Sequence, residues 1–304
     1  MSGRGKDEHM PAGLTLLTLV RGRSSSLGVK TERGILDVRA AARRFDRRVP
    51  TTIDALIRGG DRGLGALVRK AIVKGGKALF LDDDTIRFGP CVTDPAKILC
   101  VGLNYARHAR EFGNPIPTLP ILFNKFGNAL NGHRGTIEVS GLPARQFDYE
   151  SELVIVIGRR ARNVSEGEAL SCVFGYCAGN DFTARDLQSR SSQWMIGKTC
   201  DGFGPIGPYL VTADQVDPGG LKIEGTVNGE VRQSSNTSDM VFSCAQIISY
   251  ASTLMTLEPG DLIFTGTPEG VITGYAKEKQ VWLKPGDTIA TTIERLGTLS
   301  FTLT

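Results

Sequence analysis

Residues 147–158, FDYESELVIVIG, restrict the fold more than any other stretch, because five consecutive branched apolar residues demand burial while carboxylates stand beside them. In an extended strand alternate side chains share a face. That sets Glu150 and Glu152 on one side, with Leu153, Ile155 and Ile157 on the other. Adjacent anions raise each other's pKa unless a cation lies between them. Asp181, in GNDFTARDLQ, supplies a third carboxylate, and such an oxygen set is what Mg²⁺ prefers. Two readings are open: a divalent-metal site, or a solvated strand face with an unrelated aspartate.

The surrounding chain predicts an α+β fold that is mainly β. LPILFNKF, LKIEGTVNGEVRQ, GDLIFTGT, DTIATTIERLG and TLSFTL are short, often β-branched, and bounded by Gly, Pro and Asn. Asn228-Gly229 signals a two-residue hairpin, since both central positions need positive φ. VFSCAQIISYASTLMT has helical spacing, and SEGEALSCVFGYC opens with the capping-box pair Ser165 and Glu168, predicting a second helix. Residues 10–93 read as a small N-terminal domain of α/β type. Its strands are LTLLTLVRG and SLGVKTERGILDV; its helical stretch, capped by Thr51 or Thr52, breaks at Gly59-Gly60. GPCVTDPAK then marks a boundary before a catalytic domain at 94–304. Residues 1–9 are set aside as a disordered arm or cloning scar ahead of Met10.

The net charge of +4 is unevenly placed: residues 1–93 hold 18 basic and 10 acidic side chains, while the remainder is acidic on balance. The run RRFDRR fits a solvated helix end better than a nucleic-acid footprint, so no nucleic-acid partner is expected. No apolar run reaches the roughly 18 to 20 residues of a membrane helix, and no secretory signal is visible. The expectation is a cytoplasmic protein with no membrane partner. Six cysteines without CxxC spacing predict reduced thiols. No glycine-rich dinucleotide fingerprint or phosphate loop is present, which argues against a nucleotide enzyme.

Upstream of the carboxylates, NYARHAREFGNP sets His108 and Glu111 three apart, on one face of a short helix. A carboxylate beside imidazole raises its basicity and fixes its tautomer, which suits proton transfer; an ordinary surface ion pair is the other reading. Downstream lie Arg185, Gln188 and the glycine-flanked Lys198, cationic or polar groups able to offset an anionic cluster or hold a substrate carboxylate. Glycines 197, 202, 204 and 207 read as a loop that lets backbone approach a ligand. Thr265 or Thr267 in FTGTPEGV is a candidate donor to a carboxylate, and a tight structural turn explains TGTP nearly as well.

The ordered segments KILCVGLNYARHARE, FDYESELVIVIG, GYCAGNDFTARDLQ, GKTCDGFGPIGP, VNGEVRQ and LEPGDLIFTGTPEGV resemble the fumarylacetoacetate hydrolase family over residues 97 to 304. The resemblance implies a mixed β-roll catalytic domain, a homodimer, and Mg²⁺ or Mn²⁺ held by Glu150, Glu152 and Asp181. It further implies that His108 and Glu111 activate water on a mobile lid spanning about 104–116. Lys198 would be the active-site lysine, with Arg185, Gln188 and Thr267 around the bound oxo-acid. The aspartate that precedes the histidine in the name-giving hydrolases is absent from CVGLNYAR. The chain therefore resembles the shorter branch, and the implied activity is cleavage of a C–C bond in a small 2-oxo or 1,3-dicarbonyl acid, as in acylpyruvate hydrolysis. Alternatives are oxaloacetate-type decarboxylation, isomerisation or decarboxylation of a muconate-derived dioate, and, from another class, a non-catalytic metal-binding scaffold.

Overall fold

The structure, a computed structural model, describes residues 10–111, 113 and 115–304. The expected arm or scar at 1–9 lies outside the described residues, as do Phe112 and Asn114 of the expected lid. Among the described residues the strands form a 12-stranded sheet, a five-stranded sheet and a two-stranded ribbon, with helices on their margins, an α+β architecture in which β predominates.

The main path of the large sheet runs Phe80–Leu81, Gly34–Asp37, Ser24–Thr31, Thr15–Arg21, Gly204–Thr212, Val173–Asn180, Ser151–Ile157, Leu262–Phe264, Ile98–Gly102 and Ile121–Lys125, while Arg87–Gly89 pairs with Thr15–Arg21 and Leu130–Asn131 with Gly204–Thr212 off this path. Along this path every pair is antiparallel except Leu262–Phe264 with Ile98–Gly102. The strand Thr15–Arg21 pairs directly with Gly204–Thr212, so strands from either side of position 93 share one sheet.

At the sheet's centre, Ser151–Ile157 is buried along its whole length. Leu153, Ile155 and Ile157 enter one apolar cluster and Val154 and Val156 a second, which is why the strand reads as a continuous apolar run rather than an alternation. The side that carries Glu152 is thus polar only at the strand's entrance.

SEGEALSCVFGYC departs from expectation. Glu168 Oε2 does accept from Ser165 N and Oγ, but the α-helix covers only Glu166–Ala169, and Val173–Asn180 is a strand. Apolar periodicity cannot tell a doubly buried strand from a helix, and here burial on both faces decided. The other local signals match. Thr52 caps the helix Ile53–Gly59, Gly60 ends it, and Ser243 with Gln246 closes a capping box on Cys244–Leu254. Asn228 and Gly229 both hold positive φ between Lys222–Val227 and Glu230–Asn236.

The five-stranded sheet runs Glu230–Asn236, Lys222–Val227, Thr288–Ile293, Gly297–Leu303 and Gly135–Ile137. Buried polar bonds fasten it to the central strand. Ser151 N donates to Gln233 Oε1 at 2.9 Å, and the Ser151 and Thr291 hydroxyls lie 2.9 Å apart. Both contacts sit beside Glu150 and Glu152, so this junction fixes the strand's entrance.

Candidate functional site

Strand register assembles the carboxylates. Ser151 pairs with Asn180, which brings residues 150 and 181 side by side, and Asp181 N donates to Glu150 O at 2.9 Å. Oxygens of Glu150, Glu152 and Asp181 lie within 4.8 Å of one another, all three residues being buried. Glu152 Oε2 accepts from Gly266 N at 2.8 Å. That amide can face the carboxylate because Gly266 holds φ of 101°, and a Cβ there would meet Asn104 Cβ at 2.7 Å. The TGTP turn therefore supplies a backbone donor, whereas its hydroxyls serve the scaffold. Thr265 Oγ1 donates to Leu153 O and Thr267 Oγ1 to Ser151 O, the latter also accepting from Gln233 Nε2.

Cations enclose the cluster. Lys198 Nζ lies 2.7 Å from Glu150 Oε2 and 2.9 Å from Asp181 Oδ2, acting as a stand-in cation between them. Arg185 reaches Glu150 Oε1 at 2.7 Å through its NH2 and donates through Nε to Asp148 Oδ2 at 2.8 Å. Its NH1 donates to Gln188 Oε1 at 3.1 Å. The glycine-flanked segment around Lys198 is not the ligand-facing loop expected from its glycines. Met195–Lys198 is a helical turn in which Gly197 packs on Ala184 O and Gln188 N, where a Cβ would approach to 2.5 Å, and Gly204 and Gly207 lie in a strand.

These surroundings polarise the carboxylates in opposite directions. Burial alone would push Glu150 up, but Lys198 and Arg185 outweigh it and hold its carboxyl down at about 2. Glu152 is pushed well above the ordinary carboxylate range by burial and by Asp181 and Glu150, against only partial relief from Gly266 N–H and Lys198. Burial lowers the Lys198 ammonium, yet Asp181 and Glu150 reverse this and raise it.

His108 and Glu111 occupy the helix Ala106–Glu111. Asn104 anchors its start, donating to Phe242 O and Thr265 O and accepting from Phe242 N. His108 is buried, its Nδ1 lies 3.2 Å from Glu111 Oε2, and Glu111 Oε1 accepts from Gly270 N at 3.2 Å. The pair is largely shielded, with His108 buried and Glu111 half-buried, rather than a surface pair. A cavity of about 370 Å³ is lined by His108, Glu150, Glu152, Arg185, Gln188, Lys198 and Thr267 among others. Asp181 lies fully buried behind this wall and Glu111 reaches it through His108.

Sequence reasoning missed two members of the constellation. Asp148 accepts from Arg185, Ile272 N and Thr273 N, joining three segments. It shares the parity of Glu150 and Glu152, which was a legible signal. Lys125 gave none, sitting at the end of an apolar edge strand. Its fully buried ammonium lies 2.5 Å from Asp181 Oδ1, donates to Phe203 O at 3.0 Å, and bonds the carbonyls of Phe182 and Lys198.

The donor set suits a divalent cation. It is all carboxylate oxygen, the choice of hard ions such as Mg²⁺ and Mn²⁺. Asp181 Oδ1 is buried without a well-directed hydrogen-bond donor, because the Lys125 contact is an ion pair lacking that alignment.

The family model for the fumarylacetoacetate hydrolase C-terminal domain matches residues 97–304. An oxaloacetate tautomerase (FAHD2A, mitochondrial) of Bos taurus is 40% identical over 269 residues, 88% of this chain and 82% of that protein. The solved fumarylacetoacetate hydrolase of Exiguobacterium antarcticum superposes with a TM-score of 0.77 at 33% identity, covering 96% of this chain and 99% of the other. Fumarylpyruvate hydrolase of Pseudomonas aeruginosa, solved with Mn²⁺ and pyruvate, gives 0.63 at 36% identity over 71% of this chain and 91% of its own. The carboxylates, the buried lysine and the histidine pair all fall inside the matched segment, and the chain is an enzyme of the fumarylacetoacetate hydrolase family.

Proposed function

We propose that this enzyme uses Mg²⁺ or Mn²⁺ to act on a small enolisable 2-oxo acid, with cleavage of a C–C bond in an acylpyruvate-type substrate as its leading activity. The observation that carries the reading is that His108, paired with Glu111, lines the same cavity as Glu150 and Glu152. A divalent cation held by Glu150, Glu152 and Asp181 would supply Lewis acidity toward the keto and carboxylate oxygens of the substrate. With its Nδ1 hydrogen donated to Glu111, His108 is held in the tautomer whose Nε2 takes a proton, from water in hydrolysis or from the substrate carbon in enolisation. Arg185 and Gln188 orient the substrate carboxylate, and Lys198 offsets the negative charge that develops on an enolate oxygen.

A second reading, enol–keto interconversion of oxaloacetate, is favoured by the Bos taurus relative, whose similarity spans both parts of the chain. It needs the same proton transfer without water attack. The two are separated by assaying purified protein on acetylpyruvate and oxaloacetate, with Mn²⁺ and with EDTA. His108→Ala is expected to lower turnover about 10²- to 10⁴-fold, and Glu150→Gln to weaken Mn²⁺ binding and activity together. Activity that survived both EDTA and Glu150→Gln would overturn the metal reading. Tautomerisation without acetylpyruvate cleavage would install the second reading as the function.

A further inference from the structure

Beyond the carboxylates the cavity changes character, and its far wall is built around one indole. Lys198 Nζ sits 5.2 Å from the Phe123 ring centroid, and Phe123 meets Trp194 edge to face at 5.4 Å and 73°. The wall thus leads outward from the charged cluster by two aromatic steps. Trp194 lies directly on the backbone of Gly102, where an added Cβ would come within 2.6 Å of its Cζ3. Any other residue at 102 would push the indole off that seat, so the Trp194 position is specified from two sides.

The cations of the lining are already committed to the carboxylates. Arg185 and Lys198 are engaged by Asp148, Glu150 and Asp181. Near Trp194 the cavity is edged by the hydroxyls of Ser189 and Ser191, while Arg190 between them turns away to donate to Pro143 O at 2.8 Å. A carboxylate carried to the Trp194 side would meet hydroxyls and aromatic rings, the lining cations being already paired. An uncharged flat group would instead stack against the aromatic pair. At about 370 Å³ the cavity is also of the size that encloses an organic ligand well beyond a three-carbon head.

We propose that Trp194, seated on Gly102 and braced by Phe123, is a specificity residue selecting 2-oxo acids that carry an uncharged planar acyl group over long dioates. The proposal rests on the oxo-acid reading of the site and extends it to the far end of the substrate.

The test measures dissociation constants of Mn²⁺-loaded protein for benzoylpyruvate and fumarylpyruvate by calorimetry, so that it reads out whether or not either compound is turned over. Wild type is expected to bind benzoylpyruvate at least about tenfold tighter, a difference of about 1.4 kcal/mol. Trp194→Ala and Gly102→Ala should each bring the ratio close to one, the second without deleting the ring. Trp194→Phe, which keeps a flat ring, should retain most of the preference. Equal or tighter fumarylpyruvate binding by wild type, or an unchanged ratio in folded Trp194→Ala, overturns the proposal. Absence of turnover of every oxo-acid alongside the expected binding ratio would instead count against the catalytic reading alone.

Discussion

Residues 148–152 and 153–157 are equally buried, yet one segment holds three carboxylates and the other five aliphatic side chains. The aliphatic half is stabilised by packing, and each side chain contributes largely on its own account. In the acidic half no member stands alone. Asp148 depends on Arg185 and three backbone amides, Glu150 on Arg185 and Lys198, and Glu152 on the Gly266 amide, while Asp181 beside them depends on Lys198 and Lys125. Packing tolerates small losses in steps, whereas a compensated charge cluster fails when one partner leaves.

That contrast is open to direct attack. Lys125→Met removes one charge of a fully buried pair and should cost about 3–5 kcal/mol in urea unfolding of the metal-free protein. A loss below 1 kcal/mol would show that Asp181 does not depend on Lys125. Ile155→Val, in the aliphatic half, should cost only about 0.5–1.5 kcal/mol and leave Mn²⁺ affinity unchanged. A shift in Mn²⁺ affinity there would show that the two halves are coupled.

The smallest effect near neutral pH belongs to His133, a partly buried titratable group with little compensation. Burial, then the neighbouring Arg134, lowers its pKa from 6.5 to about 4, with Asp83 opposing; its Nδ1 accepts from Ser300 N at 3.0 Å and its ring meets Phe88 edge to face. The folded pKa lies below the unfolded one, so the neutral ring's contribution is complete above about pH 6.5 and is lost as pH falls toward about 4. Melting temperature should decline through that window in wild type and less steeply in His133→Gln. Parallel profiles would rule His133 out as the origin.

How much of this was legible depended on the range of the signal. The strand-rich architecture, the Asn228-Gly229 hairpin and the Thr52 cap follow from neighbours in sequence, and they are found where local chemistry puts them. The carboxylate cluster was legible too, because an acidic pair against an apolar run is locally inconsistent and inconsistency marks function. Lys125 was not, since its significance lies in meeting Asp181 across 56 positions of chain. The strand Val173–Asn180 was misread for a related reason: its doubly buried setting comes from strands far away in sequence. Trp194 carries no local signal, because the residues that seat it, Gly102 and Phe123, lie 92 and 71 positions away in the chain.

The pairing of Thr15 with Val211 also carries a consequence for biosynthesis. At translation rates of about 5–20 residues per second, roughly 10–40 s separate the appearance of these two partners. Arg87–Gly89 closes the edge of Thr15–Arg21 at Thr18–Val20 early on, but until Val211 appears the Thr15–Leu16 end waits with its hydrogen-bonding groups unpaired. Chaperone demand from that open edge should therefore last until after every residue of the carboxylate cluster, Lys198 included, has been made.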